Sequence, residues 1–254
     1  MLTPKDPIML SSDQDRLFRG SHYPKPFEFN KEVAGVFDDM VQRSIPLYRE
    51  VAHLAGQWAL AFYQKGSRIY DIGCSTGTVI SYIGEGISSS ADFVGIDLSA
   101  PMIERAKEKL AHFPSQHRLK LICGDVMEQE FDNASVIIVN YTLQFLPVKS
   151  RALLIQRIFD GLRPGGILFM SEKVKCQNPE FQETSTVLYE EFKLRQGYTK
   201  SEIARKKEAL ENVLIPLTEA DYHKAMASAG FTSQETIGKW YNFCSFVAQK
   251  PRGS

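Results

Sequence analysis

The middle of the chain alternates between short apolar runs and longer amphipathic segments. Five apolar runs predict strands, over residues 67–73, 92–97, 119–125, 135–140 and 166–173. Helices are predicted between them, including one that begins after Ser99 as N-cap with Pro101 in its first turn. Because the predicted strands are continuously apolar and separated by helices, the pattern indicates an α/β fold with a parallel sheet covered on both faces.

Further helices are predicted on both sides of this alternating core. Two precede it, over about 31–43 and 46–64, with Pro46 in the first turn of the second. Residues 178–216 are predicted to form a helical insertion over the carboxyl edge of the sheet, with helices at about 180–195 and 199–214. A helix near 218–229 and two strands, 231–240 and 242–249, complete the pattern. We therefore predict one domain, 31–254, preceded by an extended arm, 1–30.

The second helix of the insertion carries a basic residue in an unexpected place. At 100° per residue, Lys207 falls within an apolar stripe, whereas Arg205 and Lys206 point toward the polar side. The apolar members of the stripe are Ile203, Leu210, Val213 and Leu214. An unpaired buried charge is costly, so Lys207 is predicted to meet an anion. The alternative is that Lys207 extends its amine to water and pairs with Glu211.

The composition is that of an ordinary globular protein. The 254 residues are 43% hydrophobic and 24% charged, and 30 basic residues balance 30 acidic ones. The chain therefore lacks the excess of basic residues that would indicate binding to nucleic acid. The four cysteines form no CxxC pair, which with the lack of a signal peptide predicts reduced thiols in the cytoplasm. No apolar run approaches the roughly 18 residues that would suggest a membrane span.

A glycine-containing segment, DIGCSTG at residues 71–77, ends the first predicted strand and opens the first helix of the core. Glycines at this bend let a ligand approach the backbone, and ligands of open α/β sheets bind at the carboxyl ends of the strands. The G-x-x-x-G spacing differs from the dinucleotide fingerprint, and no Lys-Ser/Thr follows as in a P-loop. By itself the segment is also compatible with a purely structural turn.

Polar residues end three further predicted strands. Asp97 follows the second strand, where a carboxylate can accept hydrogen bonds from both hydroxyls of a ribose. Asp125 follows the third strand, in position to meet an adenine amino group, and Asn140 ends the fourth. Asp97 can alternatively form an Asx-turn before Ser99. Because all these strand ends converge on one edge of the sheet, we expect a ligand site there.

The pattern D-x-G-C-x-x-G, an acid after the second strand and Gly-Asp after the third, resembles the class I S-adenosylmethionine-dependent methyltransferases over residues 67–173. The resemblance implies a Rossmann-like, doubly wound sheet of seven strands whose last strand is antiparallel. It also implies S-adenosylmethionine as the cofactor.

A more specific resemblance extends over nearly the whole chain from Phe37. It is to the carboxy-S-adenosyl-L-methionine synthases, a branch of the same superfamily, and includes the insertion. The segments that carry it are FDDMVQRSIPLY (37–48), DIGCS (71–75), PMIER (101–105), NYTLQFL (140–146), MSEK (170–173), EFKLRQGYTKSEI (191–203) and EALENVL (208–214).

The resemblance to these synthases implies a defined reaction. S-adenosylmethionine and prephenate would give carboxy-S-adenosylmethionine and phenylpyruvate, with the carboxyl group captured by the deprotonated sulfonium methyl group. The product would serve a separate enzyme that modifies the wobble uridine of tRNA, so no direct contact with nucleic acid is expected. The family also implies a homodimer.

The resemblance assigns nucleotide contacts to nine positions. At a tenth position this sequence departs from the family. The nine are Tyr48, Gly73, Cys74, Ser75, Asp97, Leu98, Asp125, Val126 and Asn140. The family's arginine, which binds the carboxylate of the carboxylated cofactor, is Lys207 here. An ammonium is a point charge and not a planar fork, so the exchange is not conservative. We expect Lys207 to serve as the carboxylate's counter-charge. The alternatives are a methyltransferase for a small carboxylated or aromatic acceptor and a non-catalytic S-adenosylmethionine-binding protein.

A few other side chains are candidates for the site. Tyr48 is expected to close over the methionine end of the cofactor, and Tyr189 and Tyr198 to line an aromatic pocket. Cys74 is predicted to be reactive only if the helix N-terminus lowers its pKa. The five histidines are dispersed without the spacing of a metal site, so no metal is expected.

Overall fold

The computed structural model describes residues 13–20 and 25–253, and the remainder of the predicted arm lies outside the described residues. The helices are α1 Lys31–Ser44, α2 Tyr48–Phe62, α3 Thr78–Gly86, α4 Ala100–Lys109, α5 Val148–Gly161, α6 Pro179–Arg195, α7 Lys200–Ala209 and α8 Glu219–Ala229. The strands are β1 Arg68–Ile72, β2 Asp92–Asp97, β3 Arg118–Cys123, β4 Ala134–Asn140, β5 Leu162–Lys175, β6 Leu217–Thr218, β7 Ser233–Trp240 and β8 Phe243–Gln249.

The strands form one sheet in the order β3-β2-β1-β4-β5-β8-β7, and β6 pairs separately with β5. Strands β1 to β5 pair in parallel, whereas β8 is antiparallel to both β5 and β7. The predicted doubly wound α/β fold with an antiparallel last strand is confirmed. The two-residue strand β6 was not predicted, because two residues carry no periodicity.

The core lies on both faces of the sheet. Ile72, Ile137 and Val139 belong to a buried cluster with side chains from α5 and α8. Ile69 and Ile138 face the opposite cluster, built with α2 and α3. Because side chains alternate across a strand and both faces are covered, the strands had to be apolar at every position.

The predicted starts of α2 and β5 were wrong. Pro46 lies outside α2, which begins at Tyr48 after Leu47 in a left-handed conformation (φ 56°). The strand predicted from residue 166 begins earlier, at Leu162, so that the sequence RPGG (163–166) belongs to β5. There Gly165 has a left-handed backbone (φ 77°), and the segment is held because Gly165 N–H donates to Lys250 O (3.0 Å) and Lys250 N–H donates to Gly166 O (2.9 Å).

The described part of the arm lies against the insertion, whose helices α6 and α7 we call the cover. The described residues of the arm form neither helix nor strand. The Tyr198 hydroxyl donates to Asp15 Oδ2 (2.5 Å), and Phe27 N–H donates to Ala209 O (2.8 Å). Over the described ranges no helix is long and apolar enough to cross a membrane.

Candidate functional site

A cavity of about 1040 Å³ opens at the carboxyl ends of the central strands, beneath α1 and the cover. All ten residues predicted for the site line it: Tyr48, Gly73, Cys74, Ser75, Asp97, Leu98, Asp125, Val126, Asn140 and Lys207. They come from segments far apart in sequence. The parallel sheet brings its strand ends to one edge, and Tyr48 on α2 and Lys207 on α7 complete the lining.

The glycine segment folds as a tight turn that depends on left-handed backbone at Gly73 (φ 71°) and Ser75 (φ 48°). Asp97 holds this turn: its Oδ2 accepts from Ser75 N–H and its Oδ1 from Ser99 N–H, both at 2.9 Å. The Asx-turn foreseen as the alternative role of Asp97 is therefore present, and the carboxylate also lines the cavity. A Cβ on Gly73 would lie 2.2 Å from Thr142 Oγ1, so the backbone is close-packed here.

Two buried polar atoms at this end of the cavity have no hydrogen-bond partner among the described residues. They are Asp71 Oδ2 and Asn140 Oδ1, at the ends of the neighbouring strands β1 and β4. Burial, and secondly the charge of Asp97, raise the pKa of Asp71 to about 7. A buried carboxylate in this state is stabilised by a cationic ligand. The motif contained Asp71, but sequence reasoning gave it no role.

The region next to Asp97 offers both an acceptor and apolar surface. Leu98 is 74% exposed, and Val126 is buried. Asp125 is exposed and accepts from Met127 N–H at 2.8 Å, which begins a short 3₁₀ turn. We call Asp71, Asp97 and Asp125 the acidic end of the cavity.

Four aromatic rings form a continuous wall from α2 to the cover. Tyr48 stacks on Tyr141 with centroids 6.2 Å apart, and Phe243 lies 5.9 Å from Tyr141 and 5.4 Å from Tyr189. All four line the cavity. Tyr189 thus lines the pocket as expected. Tyr198 does not: its hydroxyl is buried against Asp15.

The orientation predicted for α7 was wrong. Lys206 is the buried lysine: its amine donates to Ser44 Oγ at 2.8 Å and lies 3.7 Å from Asp15 Oδ2. Lys207 is 66% exposed at its side chain and pairs with Glu190 (3.1 Å), not with Glu211. The helix ends at Ala209, so the residues after it do not extend a stripe, and the buried face is the one that carries Glu202, Ile203, Lys206 and Ala209.

Two further lysines, on β5 and α6, face the same part of the cavity. The amines of Lys173 and Lys193 lie 4.8 and 4.4 Å from the centroid of the Tyr189 ring. Burial, and secondly the charges of neighbouring lysines, lower the pKa of Lys173 to about 8 and that of Lys193 to about 7. With Lys206 and Lys207 they form the basic end of the cavity. Sequence reasoning missed Lys173 and Lys193, since an isolated lysine in a helix or strand carries no signal.

Buried ionisable groups support the loops around the cavity. Lys109 donates to both oxygens of Asp38 (2.9 and 2.8 Å), to Thr76 Oγ1 (2.7 Å) and to Thr78 Oγ1 (2.9 Å), and so joins α4 and α1 to the glycine turn. Glu172 accepts from three consecutive N–H groups of residues 142–144, at 3.1, 2.7 and 3.0 Å. Burial raises the pKa of Glu172 to about 8.

Cys74 does not have the lowered pKa that was expected of a reactive thiol. Its side chain is buried, and burial raises its pKa well above the ordinary value, with nearby Asp71 and Asp97 acting in the same direction. Cys74 is therefore a thiol that packs under the turn. Within the described ranges, no group of three or more His, Cys, Asp or Glu side chains is arranged to hold a metal ion.

Comparisons with known proteins agree on a family and a fold. The profile of a methyltransferase domain matches residues 69–166. The chain is 51% identical to the carboxy-S-adenosyl-L-methionine synthase of Trichodesmium erythraeum, over 96% of each chain. It is 41% identical to the enzyme of that name from Wolinella succinogenes, over 93% of this chain and 98% of the relative.

Solved structures support the fold. A magnesium protoporphyrin IX methyltransferase from Synechocystis, with bound SAH, matches with a TM-score of 0.59 at 14% identity over 92% of each chain. A putative O-methyltransferase from Nostoc punctiforme matches with a TM-score of 0.60 at 17% identity, over 87% of this chain and 59% of that one. At such identities the likeness concerns architecture.

Proposed function

The chain belongs to the carboxy-S-adenosyl-L-methionine synthase family, and from this premise we propose that it converts S-adenosylmethionine and prephenate to carboxy-S-adenosylmethionine and phenylpyruvate. It is an S-adenosylmethionine-dependent transferase. The observation that supports the proposed reaction is the division of the cavity into an acidic end and a basic end. A cationic nucleoside suits the first and an anionic acid suits the second.

The acidic end fits S-adenosylmethionine. Asp71 Oδ2 and Asn140 Oδ1 are buried acceptors without partners in the described structure, and the ligand's ammonium group would supply N–H donors. Asp97 would accept the ribose hydroxyls. Leu98 and Val126 would pack on the adenine while Asp125 accepts from its amino group. Tyr48 would lie over the methionine part, at the aromatic wall.

The reaction balances without a metal or a redox partner. Prephenate loses one carboxyl group and its ring hydroxyl, and its ring becomes the phenyl group of phenylpyruvate. The carboxyl carbon bonds to the methyl carbon of S-adenosylmethionine, and the proton lost from that methyl group leaves with the hydroxyl as water. The protein's contribution is positioning, exclusion of bulk water and charge stabilisation, with Lys207 opposite the transferred carboxylate.

The wider role follows from the same family resemblance. We propose that the product passes to a separate enzyme that modifies tRNA, so that this chain makes no direct contact with nucleic acid, and that it acts in the cytoplasm. The zero formal charge agrees with the lack of direct contact with nucleic acid. We also propose a homodimer, which is supported by the exposed apolar side chains Phe181, Val187 and Leu188 on α6.

The first experiment is to denature protein purified from cells that make prephenate and to identify the released nucleotide by mass spectrometry. We expect carboxy-S-adenosylmethionine. Purified protein should also consume prephenate without any methyl acceptor. Repeated recovery of S-adenosylmethionine or S-adenosylhomocysteine alone, without prephenate consumption, would favour the rival methyltransferase, and retention of ligand without any turnover would favour a binding protein.

Binding of S-adenosylmethionine is expected to depend on pH through Asp71. Its pKa is raised to about 7 in the free protein, so this group contributes stability that is complete below about pH 4 and lost as pH rises through 7. A bound cation favours the ionised carboxylate. Affinity measured by calorimetry should therefore rise roughly eightfold between pH 6.0 and 7.5, and Asp71→Asn should abolish that rise. An equal rise in the variant would show that another group is responsible.

Removal of the charge at position 207 is expected to impair carboxyl transfer more than nucleotide binding. Because Lys207 lies on the cover and lines the cavity, Lys207→Met should lower carboxy-S-adenosylmethionine formation about 10- to 100-fold. Affinity for S-adenosylmethionine should change less than about threefold. Lys207→Arg should keep or exceed the original rate, since arginine offers a bidentate fork. Lys224→Met, on the exposed face of α8, is the matched control; equal losses in both variants would contradict the assigned role.

A further inference from the structure

The amines of Lys173 and Lys193 lack an anionic partner. Lys193 is only 8% exposed, and in the part of the chain that the structure describes neither amine has a hydrogen bond or an ion pair. Both lie over the Tyr189 ring, at 4.8 and 4.4 Å from its centroid. A ring face attracts cations, but it does not replace the water that a buried ammonium has lost.

The surrounding charges do not neutralise this pair. Lys206 and Lys207 on α7 add positive charge, and Glu190 on α6 is the carboxylate whose field favours protonation of both amines. Glu190 is already bonded to Lys207. The other acidic side chains lining this region are Glu208 and Glu211, which are exposed and form no ion pair with either amine. The free protein thus concentrates cations around one ring.

The ring itself is held in place. The Tyr189 hydroxyl donates to Ser44 O at 2.8 Å, and Phe243 packs against the ring with centroids 5.4 Å apart. Lys173 is fixed at its backbone, where its N–H donates to Gln144 Oε1 at 3.0 Å. Two cations carried by a strand and a helix that are both anchored form a preorganised site for an anion.

We propose that the amines of Lys173 and Lys193 over the Tyr189 ring form a carboxylate subsite, separate from Lys207, that binds the carboxylate of the co-substrate that is not transferred. The inference rests on the proposed function and extends it. One carboxylate of the acid is transferred near Lys207, and the other stays bound to the lysine pair. The lysines act as binding residues for that second carboxylate. The wall of aromatic rings receives the acid's ring.

The test measures prephenate and phenylpyruvate by calorimetry on protein saturated with S-adenosylhomocysteine, which has no methyl group to accept the carboxyl group. Phenylpyruvate keeps only the carboxylate assigned to the lysine pair, so the unsubstituted protein should bind prephenate at least tenfold more tightly. Lys193→Met and Lys173→Met should each weaken both affinities about 10- to 100-fold and keep the preference, whereas Lys207→Met should remove the preference. Lys175→Met removes an exposed lysine that lines the same cavity and should keep both affinities. Lys193→Arg keeps the charge, should keep both affinities, and serves if a methionine variant fails to fold.

The affinity for S-adenosylmethionine shows which carboxylate the lysine pair binds. Affinity for S-adenosylmethionine should be unchanged in both methionine variants. A parallel loss of that affinity would mean that the pair binds the carboxylate of the nucleotide's methionine part, and the proposal would be overturned. Unchanged affinities for prephenate and phenylpyruvate in both variants would overturn it too. Failure of the proposed function would show separately, as absence of carboxy-S-adenosylmethionine from a turnover mixture of the unsubstituted protein.

Discussion

Lys109→Met is expected to lower the free energy of unfolding by about 3–5 kcal/mol. The side chains of Lys109 and Asp38 are 3% and 5% exposed, and the amine also donates to Thr76 and Thr78. Removing the amine leaves the Asp38 carboxylate buried without its counter-charge. Burial already lowers the pKa of Lys109 more than Asp38 raises it, which shows how costly desolvation is here. Urea denaturation at pH 7 measures the effect.

The control is an exposed ion pair on the same helix. Arg105 bonds to Glu108 at 2.8 Å near the surface, so Arg105→Met should cost only about 0–1 kcal/mol. The double variant Asp38→Leu/Lys109→Met removes both charges and should recover most of the loss. Similar costs for Lys109→Met and Arg105→Met would show that the buried pair does not stabilise the fold as described.

Gly73→Ala is expected to abolish measurable binding of S-adenosylmethionine and to destabilise the protein by about 1–3 kcal/mol. The residue has φ 71°, and a methyl group there would lie 2.2 Å from Thr142 Oγ1 and 2.9 Å from Thr142 Cβ. To relieve that overlap, either the glycine turn or the loop after β4 must move, and both line the cavity. Calorimetry reports the binding, and thermal unfolding reports the stability.

A glycine elsewhere provides the matched comparison. Gly35 lies within α1 with open space where a Cβ would project, so Gly35→Ala should leave binding intact and stabilise the protein by roughly 0.5–1 kcal/mol. Adding Thr142→Gly to Gly73→Ala removes the overlapping side chain and should restore part of the binding. Full binding by Gly73→Ala alone would contradict the close packing described for the turn.

The elements that formed the sheet were predictable because their apolar pattern is local. Strand β2 has the predicted bounds, and the N-cap of α4 is Ser99 as expected. Residues at strand ends were predictable as cavity-lining for a different reason: parallel topology forces the ends of β1, β2 and β4 to one edge. Their contacts with ligand remain a proposal.

The basic end was beyond sequence reasoning for identifiable reasons. The stripe assigned to Lys207 assumed that α7 continued to Leu214, but the chain leaves the helix after Ala209. Which lysine is buried then depends on Ser44 and Asp15, more than 160 residues away in sequence. Lys173 and Lys193 meet only because β5 and α6 pack beside Tyr189. Periodicity along one helix does not report such distant partners.

The short strand β6 fixes the returning end of the cover. Val174 pairs with Leu217 beside the point where β5 leads into the cover, and Ile215 N–H donates to Gln144 O at 2.9 Å. A segment whose two ends are held on the sheet has lost much of its chain entropy before any ligand arrives. We therefore expect the cover to fold cooperatively with the sheet. The free energy of ligand binding then has to order side chains, and not the whole insertion.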